Sequence, residues 1–259
     1  MYEILICILA GLLAGVGTGF AGLSAAVFIA PMLISFLGVE SYSAVGIALA
    51  SDILASAVSA FTYAKHGNVD MKRGFPMLIS VLFATVIGSI IAYKFVSIPF
   101  GETFMSVWLI SGILFMGLRF LIRPGEDRMP HPRENGKIPE PVLALLCGLF
   151  VGFICGFQGT GGGLWMLFAL NILLRFEYRK AVGTSVSIMT LTALIGAFGH
   201  FFIHEMPDLL MLSLCVVSTL IGAQGAALIA NRISPKLLKR LTGALMVVAG
   251  IGMVLAKLF

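Results

Sequence analysis

Charge is scarce in this chain. Of 259 residues only 11% are Asp, Glu, Lys or Arg, against 59% apolar, and the mean hydropathy is +1.05. Too little polar surface remains to cover a water-soluble globule, which excludes a soluble enzyme or binding module. Cysteine is sparse too. Cys7, Cys147, Cys155 and Cys215 lie in apolar segments without C-x-x-C spacing, which argues against a disulfide framework and a zinc site. No H-E-x-x-H is present, and His66, His131, His200 and His204 stand at segment ends or in loops, so neither a metal centre nor an intramembrane hydrolase is expected. The glycine run at Gly156 to Gly163 lacks the Lys-Ser/Thr ending of a phosphate-gripping loop, which removes an ATP-driven pump. No cofactor is called for. A single sizeable hydrophilic segment, Arg123 to Glu140, leaves no room for a soluble domain, and no basic residue precedes the first apolar stretch as a signal peptide requires.

Glycine is what the chain has in quantity, and its positions disclose a duplication. Gly11, Gly15, Gly19, Phe20 and Gly22 recur 137 positions later as Gly148, Gly152, Gly156, Phe157 and Gly159. The same displacement carries Ala44-Val45-Gly46 onto Ala181-Val182-Gly183, Ala60-Phe61 onto Ala197-Phe198 and Gly88 onto Gly225. The expected division is a first transmembrane repeat over 1–122, a cytoplasmic linker over 123–140 and a second repeat over 141–259.

Stretches long enough to span a bilayer, about 20 residues each, run over Leu5–Leu37, Ser43–Ala64, Phe75–Val96 and Thr103–Leu121, and again over Pro141–Leu174, Ala181–Phe202, Leu209–Ala230 and Leu237–Leu258. Of the 17 Lys and Arg residues, all but Lys94 and Lys257 fall in four connections: Lys65–Arg73, Arg119–Lys137, Arg175–Lys180 and Arg232–Arg240. Eight single crossings would split these between two sides, against the positive-inside bias. The conflict vanishes if Pro141–Leu174 enters and returns on one side. That stretch and Leu5–Leu37 are too long for one upright span, and glycines interrupt both. Each repeat then reads as a broken re-entrant helical hairpin plus three transmembrane helices, an odd number of crossings, so the second copy lies inverted. The expected fold is an all-α integral membrane protein of two inverted repeats in the cytoplasmic (inner) membrane, with both termini outside. The net charge of +5 is explained by orientation, and no nucleic acid partner is implied. The lipid bilayer and a small anionic substrate are the expected partners, and a homo-oligomer is left open.

Non-helical backbone at membrane depth needs protein or water around it. The returning helices, expected to begin near Leu23 and Gly161, would aim free N–H groups at the centre, and two such ends make an anion site. The residues expected around it are Thr18, Gly19, Gly22 and Ser24 from the first turn, Gln158, Gly159, Thr160, Gly161, Gly162 and Gly163 from the second, and Ser51, Thr184 and Ser185 from the helices that follow, with Trp165 as a wall. Close helix packing competes for the glycines, and is the preferred account for Gly11, Gly15, Gly148 and Gly152. The hydroxyls compete equally with bonds to their own helices. Asp52, midway along its helix, is a candidate proton-coupling residue; a packed, hydrogen-bonded carboxyl is the rival reading, and its counterpart in the second copy is Met189. Lys65, Lys72 and Arg73 set orientation, or draw anions to the mouth.

At Gly156 to Gly163 followed by Leu164, and at Ala181-Val182-Gly183-Thr184-Ser185, the chain resembles the sulfite exporter (TauE/SafE) family of membrane transporters. Gly67-Asn68-Val69-Asp70 looks like that family's first-half loop. The resemblance covers nearly the whole chain and implies secondary transport of a sulfur oxyanion or organic anion, such as sulfite, a sulfonate or sulfoacetate. The chain departs from the pattern in two places: Gly22-Leu23-Ser24-Ala25-Ala26, where the family keeps more glycines, and Asp52, where an apolar or hydroxyl residue is commoner. An anion channel is the nearest alternative to a transporter, followed by a scaffold and an intramembrane enzyme.

Overall fold

The computed structural model describes residues 2–96, 101–124, 139–158, 162–203 and 207–258. These residues form helices and connections, with no strand among them. Helix α1 (Tyr2–Ala21) ends at Gly22, whose φ of +63° suits glycine and turns the chain. A short helical turn, Ala25–Val27, leads into α2 (Ile29–Leu37), and α3 (Ser41–Lys65), α4 (Met71–Val96) and α5 (Gly101–Ile122) follow. The order then recurs. Helix α6 (Glu140–Gln158) precedes α7 (Gly163–Phe168), which widens into a five-residue turn over Ala169–Leu173; α8 (Tyr178–Ile203), α9 (Leu209–Arg232) and α10 (Pro235–Leu258) complete the chain.

Among the described residues, seven helices are long and apolar enough to cross a membrane. The outer surface agrees with that solvent: Phe61, Ile122, Leu209 and Val248 are each about 70% exposed, whereas Thr18, Ser24, Ser51, Asp52, Ser56, Ser59, Thr184 and Ser185 are buried. Apolar side chains outside and hydroxyls inside is the polarity that lipid imposes. The protein is a multi-pass membrane protein. One expectation is refined here. The glycines do not divide each hairpin evenly, since α1, at 20 residues, is about 30 Å long and spans by itself, while the apolar returning arm, Ala25–Leu37, is short.

Helices matched by the 137-residue displacement pack reciprocally: α1 lies on α9 and α6 on α4, while α3 pairs with α8 and α5 with α10. The first two contacts are parallel and run on glycine. A methyl carbon on Gly15 would stand 2.2 Å from the Thr219 carbonyl oxygen, and one on Gly19 2.6 Å from that of Ala223; on the other side, Gly152 meets Val81 at 2.4 Å and Gly156 meets Thr85 at 1.9 Å. Backbone touches backbone here, the close approach that only glycine allows. The α3–α8 contact is antiparallel, with Leu49 against Gly196, Ser56 bonded to Thr190 at 3.0 Å, and Tyr63 against Gly183. Helices α5 and α10 are antiparallel as well, with Leu114 against Gly250 and Leu121 against Gly243.

The basic connections meet at one end. Asn68 donates to Asn231 (2.6 Å), the Asp70 amide donates to Thr184 (3.0 Å), and Arg179 donates to the Ile233 carbonyl. Arg73 is the clamp among them. Its Nε lies 2.5 Å from Glu140 at the start of α6, Nη2 donates to the Leu174 carbonyl at 2.9 Å, and the guanidinium stands 4.1 Å over the Phe176 ring. One side chain thus grips the residue where the second hairpin enters and the residue where it leaves.

Candidate functional site

The two glycine turns touch. A methyl on Gly163 would fall 1.9 Å from the Gly22 carbonyl oxygen, while one on Gly22 would lie 3.2 Å from Ser185 Oγ and 3.3 Å from Val186 Cγ1. One on Gly162 would lie 3.0 Å from Cys155 Cβ of α6. The point where the hairpins meet is therefore walled by α8 and α6.

Asp52 of α3 reaches the first turn from behind. Ser24 Oγ donates to Asp52 Oδ2 at 2.5 Å and the Ala25 amide donates to Oδ1 at 2.7 Å; Ser24 also accepts from the Ala26 amide at 3.2 Å. Asp52 and Ser24 are fully buried. Two donors converge on one carboxyl, a task a carboxylate meets with acceptor positions alone. This changes the expected site. The free N–H end anticipated for the first returning arm, which starts at Ala25 rather than Leu23, is already taken by a protein carboxyl. At the second turn the position matching Asp52 is Met189, whose Sδ would lie 3.2 Å from a methyl on Gly163, and among the described residues no side chain caps α7, whose N-cap is Gly162.

The remaining residues sort by their partners. Among the described residues, Ser185 Oγ, buried beside Gly22, has no hydrogen-bond partner, nor has the buried Ser59 Oγ on α3. Gly22, Ser24, Gly162, Gly163 and Ser185 are thus brought together. Others go elsewhere. Thr18 donates to the Ala14 and Leu23 carbonyls (3.0 and 2.8 Å) and braces the turn, and Ser51 bonds back to Ile47 at 2.8 Å. Thr184 is engaged with Asp70 at the basic end. Gly19, expected to line a cavity, packs against α9 instead, because it continues the four-residue spacing of Gly11 and Gly15 on that face. Gly159, Thr160, Gly161 and the Gln158 side chain lie outside the described residues, as do the His204 position and the His200 side chain. Trp165 is ringed by Trp108, Phe150 and Phe168, with its buried Nε1 lacking a hydrogen-bond partner among the described residues.

Two contributors were not anticipated from sequence. Tyr63, fully buried, donates its hydroxyl to the Gly19 carbonyl at 2.9 Å, satisfying one of the carbonyls that the broken end of α1 leaves open. Its place opposite the half-helix end follows only from the docking of α1 on α3. Arg73, expected to set orientation or draw anions to the mouth, is the other only in its role as a clamp, which depends on three connections folding together.

A family model described as sulfite exporter TauE/SafE matches residues 7–253, nearly the whole chain. The chain belongs to that family. Relatives of this TauE/SafE protein cover the same extent. The probable membrane transporter protein YdhB of Bacillus subtilis (strain 168) is 27% identical over 240 residues, 91% of this chain and 94% of its own. A probable membrane transporter protein of Methanocaldococcus jannaschii is 24% identical over 266 residues, 96% of this chain and 94% of its own. The TauE/SafE protein is accordingly a membrane transporter.

Proposed function

We propose that the protein is a secondary transporter carrying a small anion, a sulfur oxyanion or organosulfonate such as sulfite or sulfoacetate, across the cytoplasmic membrane. The observation that carries this reading is the meeting of Gly22 and Gly163 in the protein interior, beside a buried Ser185 hydroxyl that is without a hydrogen-bond partner among the described residues. A hydroxyl stranded in a membrane interior costs free energy unless something bonds it, and an oxyanion is a partner of the right polarity for a hydroxyl and turn amides. Alternating access of two inverted halves is the mechanism we assign. The antiparallel pairing of α3 with its counterpart α8, and of α5 with α10, supports it, because equivalent helices of opposite direction make the two faces of the site interchangeable. The gathering of the basic connections around Arg73 supports a cytoplasmic position for that end and an outside position for both termini.

The test is transport into proteoliposomes of radiolabelled sulfite, thiosulfate, sulfoacetate and small carboxylates, with and without a proton gradient. A transporter gives saturable flux and gradient-driven accumulation of one sulfur anion. Unsaturable flux that never exceeds equilibrium would instead make the protein an anion channel, and no flux of any anion would leave a scaffold.

A further inference from the structure

We propose that Asp52 is a tethered stand-in for the transported anion, a deepening that rests on the anion-transport reading above. Its carboxyl holds the two donors at the head of the first returning arm, Ser24 O–H and Ala25 N–H, and the incoming anion gains those donors only when Asp52 takes a proton and releases them.

Three observations converge on this exchange. First, an acidic side chain fully buried in a membrane helix is satisfied here by two donors that belong to the broken segment rather than to its own helix, so the contact ties the hairpin to α3. Second, Ser185 Oγ lies buried beside Gly22, immediately before this head, with no hydrogen-bond partner among the described residues. The site thus offers one more hydrogen bond than Asp52 consumes, which fits a ligand with more acceptor oxygens than a carboxylate. Third, the position matching Asp52 in the second copy is Met189, so the protein carries one such carboxyl rather than two. Among the described residues no cation is bonded or ion-paired to Asp52: its partners are Ser24 and Ala25, and the ion pair present is that of Arg73 with Glu140. The buried titratable side chain beside the turns is Cys155 of α6, against Gly162.

Charge balance gives the step its direction. A carboxylate and an anion cannot share two donors at close range in a low-dielectric site, since like charges disfavour one another's ionised forms. The proton comes from solvent and ends on a carboxyl oxygen of Asp52. Ser24 O–H and Ala25 N–H pass to the anion, and Ser185 O–H completes its coordination. One anion then enters with one proton. Binding should therefore weaken about tenfold for each pH unit over the range in which Asp52 is ionised, the slope for one linked proton.

The experiment is titration calorimetry on the detergent-solubilised full chain in buffers of different ionisation enthalpy. Sulfate, thiosulfate, sulfoacetate and methanesulfonate serve as probes, because their charge is constant around neutral pH. In wild type the strongest binder should take up close to one proton per anion. In Asp52→Asn, whose amide keeps the shape, binding should persist with no proton uptake and a flat pH profile. In Asp52→Ala the emptied donors should accept free formate, read as a rise in melting temperature that wild type does not show. Binding without proton uptake in wild type overturns the exchange and leaves the anion reading standing. No binding by any probe overturns the anion site itself and this inference with it. A formate response equal in wild type and Asp52→Ala also overturns it; if neither variant can be purified, the wild-type proton count decides alone.

Discussion

Gly163→Ala tests whether the two turns meet as described. Gly163 begins α7, where an alanine is locally favoured over glycine by about 0.5–1 kcal/mol. Tertiary contact should reverse that preference. The added methyl would stand 1.9 Å from the Gly22 carbonyl oxygen, and ordinary contact starts at 3.4 Å, so 3.4 less 1.9 leaves 1.5 Å of overlap to relieve. Little can yield. Both partners are backbone, and Gly22 is backed by Ser185 and Val186. Overpacking a tight site costs about 1–3 kcal/mol, and the upper half of that range applies here, leaving a net destabilisation of about 1–2.5 kcal/mol once the alanine preference is subtracted. Thermal unfolding in detergent should show a lower melting temperature for Gly163→Ala, with anion binding lost because the turns are pushed apart. Gly225→Ala and Gly252→Ala are the controls: a methyl at either position meets nothing within 4 Å, so both should match or slightly exceed wild type. A Gly163→Ala protein as stable and as active as these controls would refute the contact between the turns.

Arg73→Ala removes an ion pair with Glu140, a bond to the Leu174 carbonyl and a stacked ring in one stroke; a cost of about 1.5–3 kcal/mol is expected from the charge-assisted bonds, and Arg73→Lys should recover little of it because a lysine cannot bond and stack at once, as thermal unfolding of both variants will report. The proposed sidedness is tested by labelling with a membrane-impermeant thiol reagent on a low background, since Cys7, Cys147, Cys155 and Cys215 are all buried. Glu40→Cys should react from outside and His66→Cys and Lys236→Cys only from the cytoplasmic face; labelling of all three from one side would contradict it.

The architecture was legible wherever a local rule decides the outcome. Hydropathy located the apolar helices because lipid demands apolar length, and three of the basic connections, grouped in the sequence by charge, are tied to one another by Asn68, Asp70 and Arg179. Gly22 and Gly162 were legible as breaks, since both adopt positive φ. The site was less so, because it is made of contacts between segments far apart in sequence. Gly19 and Gly22 lie three residues apart, yet one packs on α9 and the other forms the turn; the continuation of the four-residue spacing through Gly19 and Gly156 was the available signal. Asp52 was recognisable as unusual, but its partners Ser24 and Ala25 precede it by 28 and 27 residues and are set by the docking of the returning arm. Thr18 and Ser51 were indistinguishable by type from Ser185, although only Ser185 lacks a bond.

Because α1 rests on α9 and α6 on α4, each hairpin is held by the opposite half of the chain. Neither half is a self-sufficient body: cut loose, it would expose a glycine-lined groove and a half-helix with nothing to lie on. The architecture is that of two obligate partners with their arms exchanged, made into one molecule by the linker. In one chain the two halves are present at equal dose and need not be identical. One kept a methionine where the other kept an aspartate, an asymmetry that a pair of identical chains could never hold.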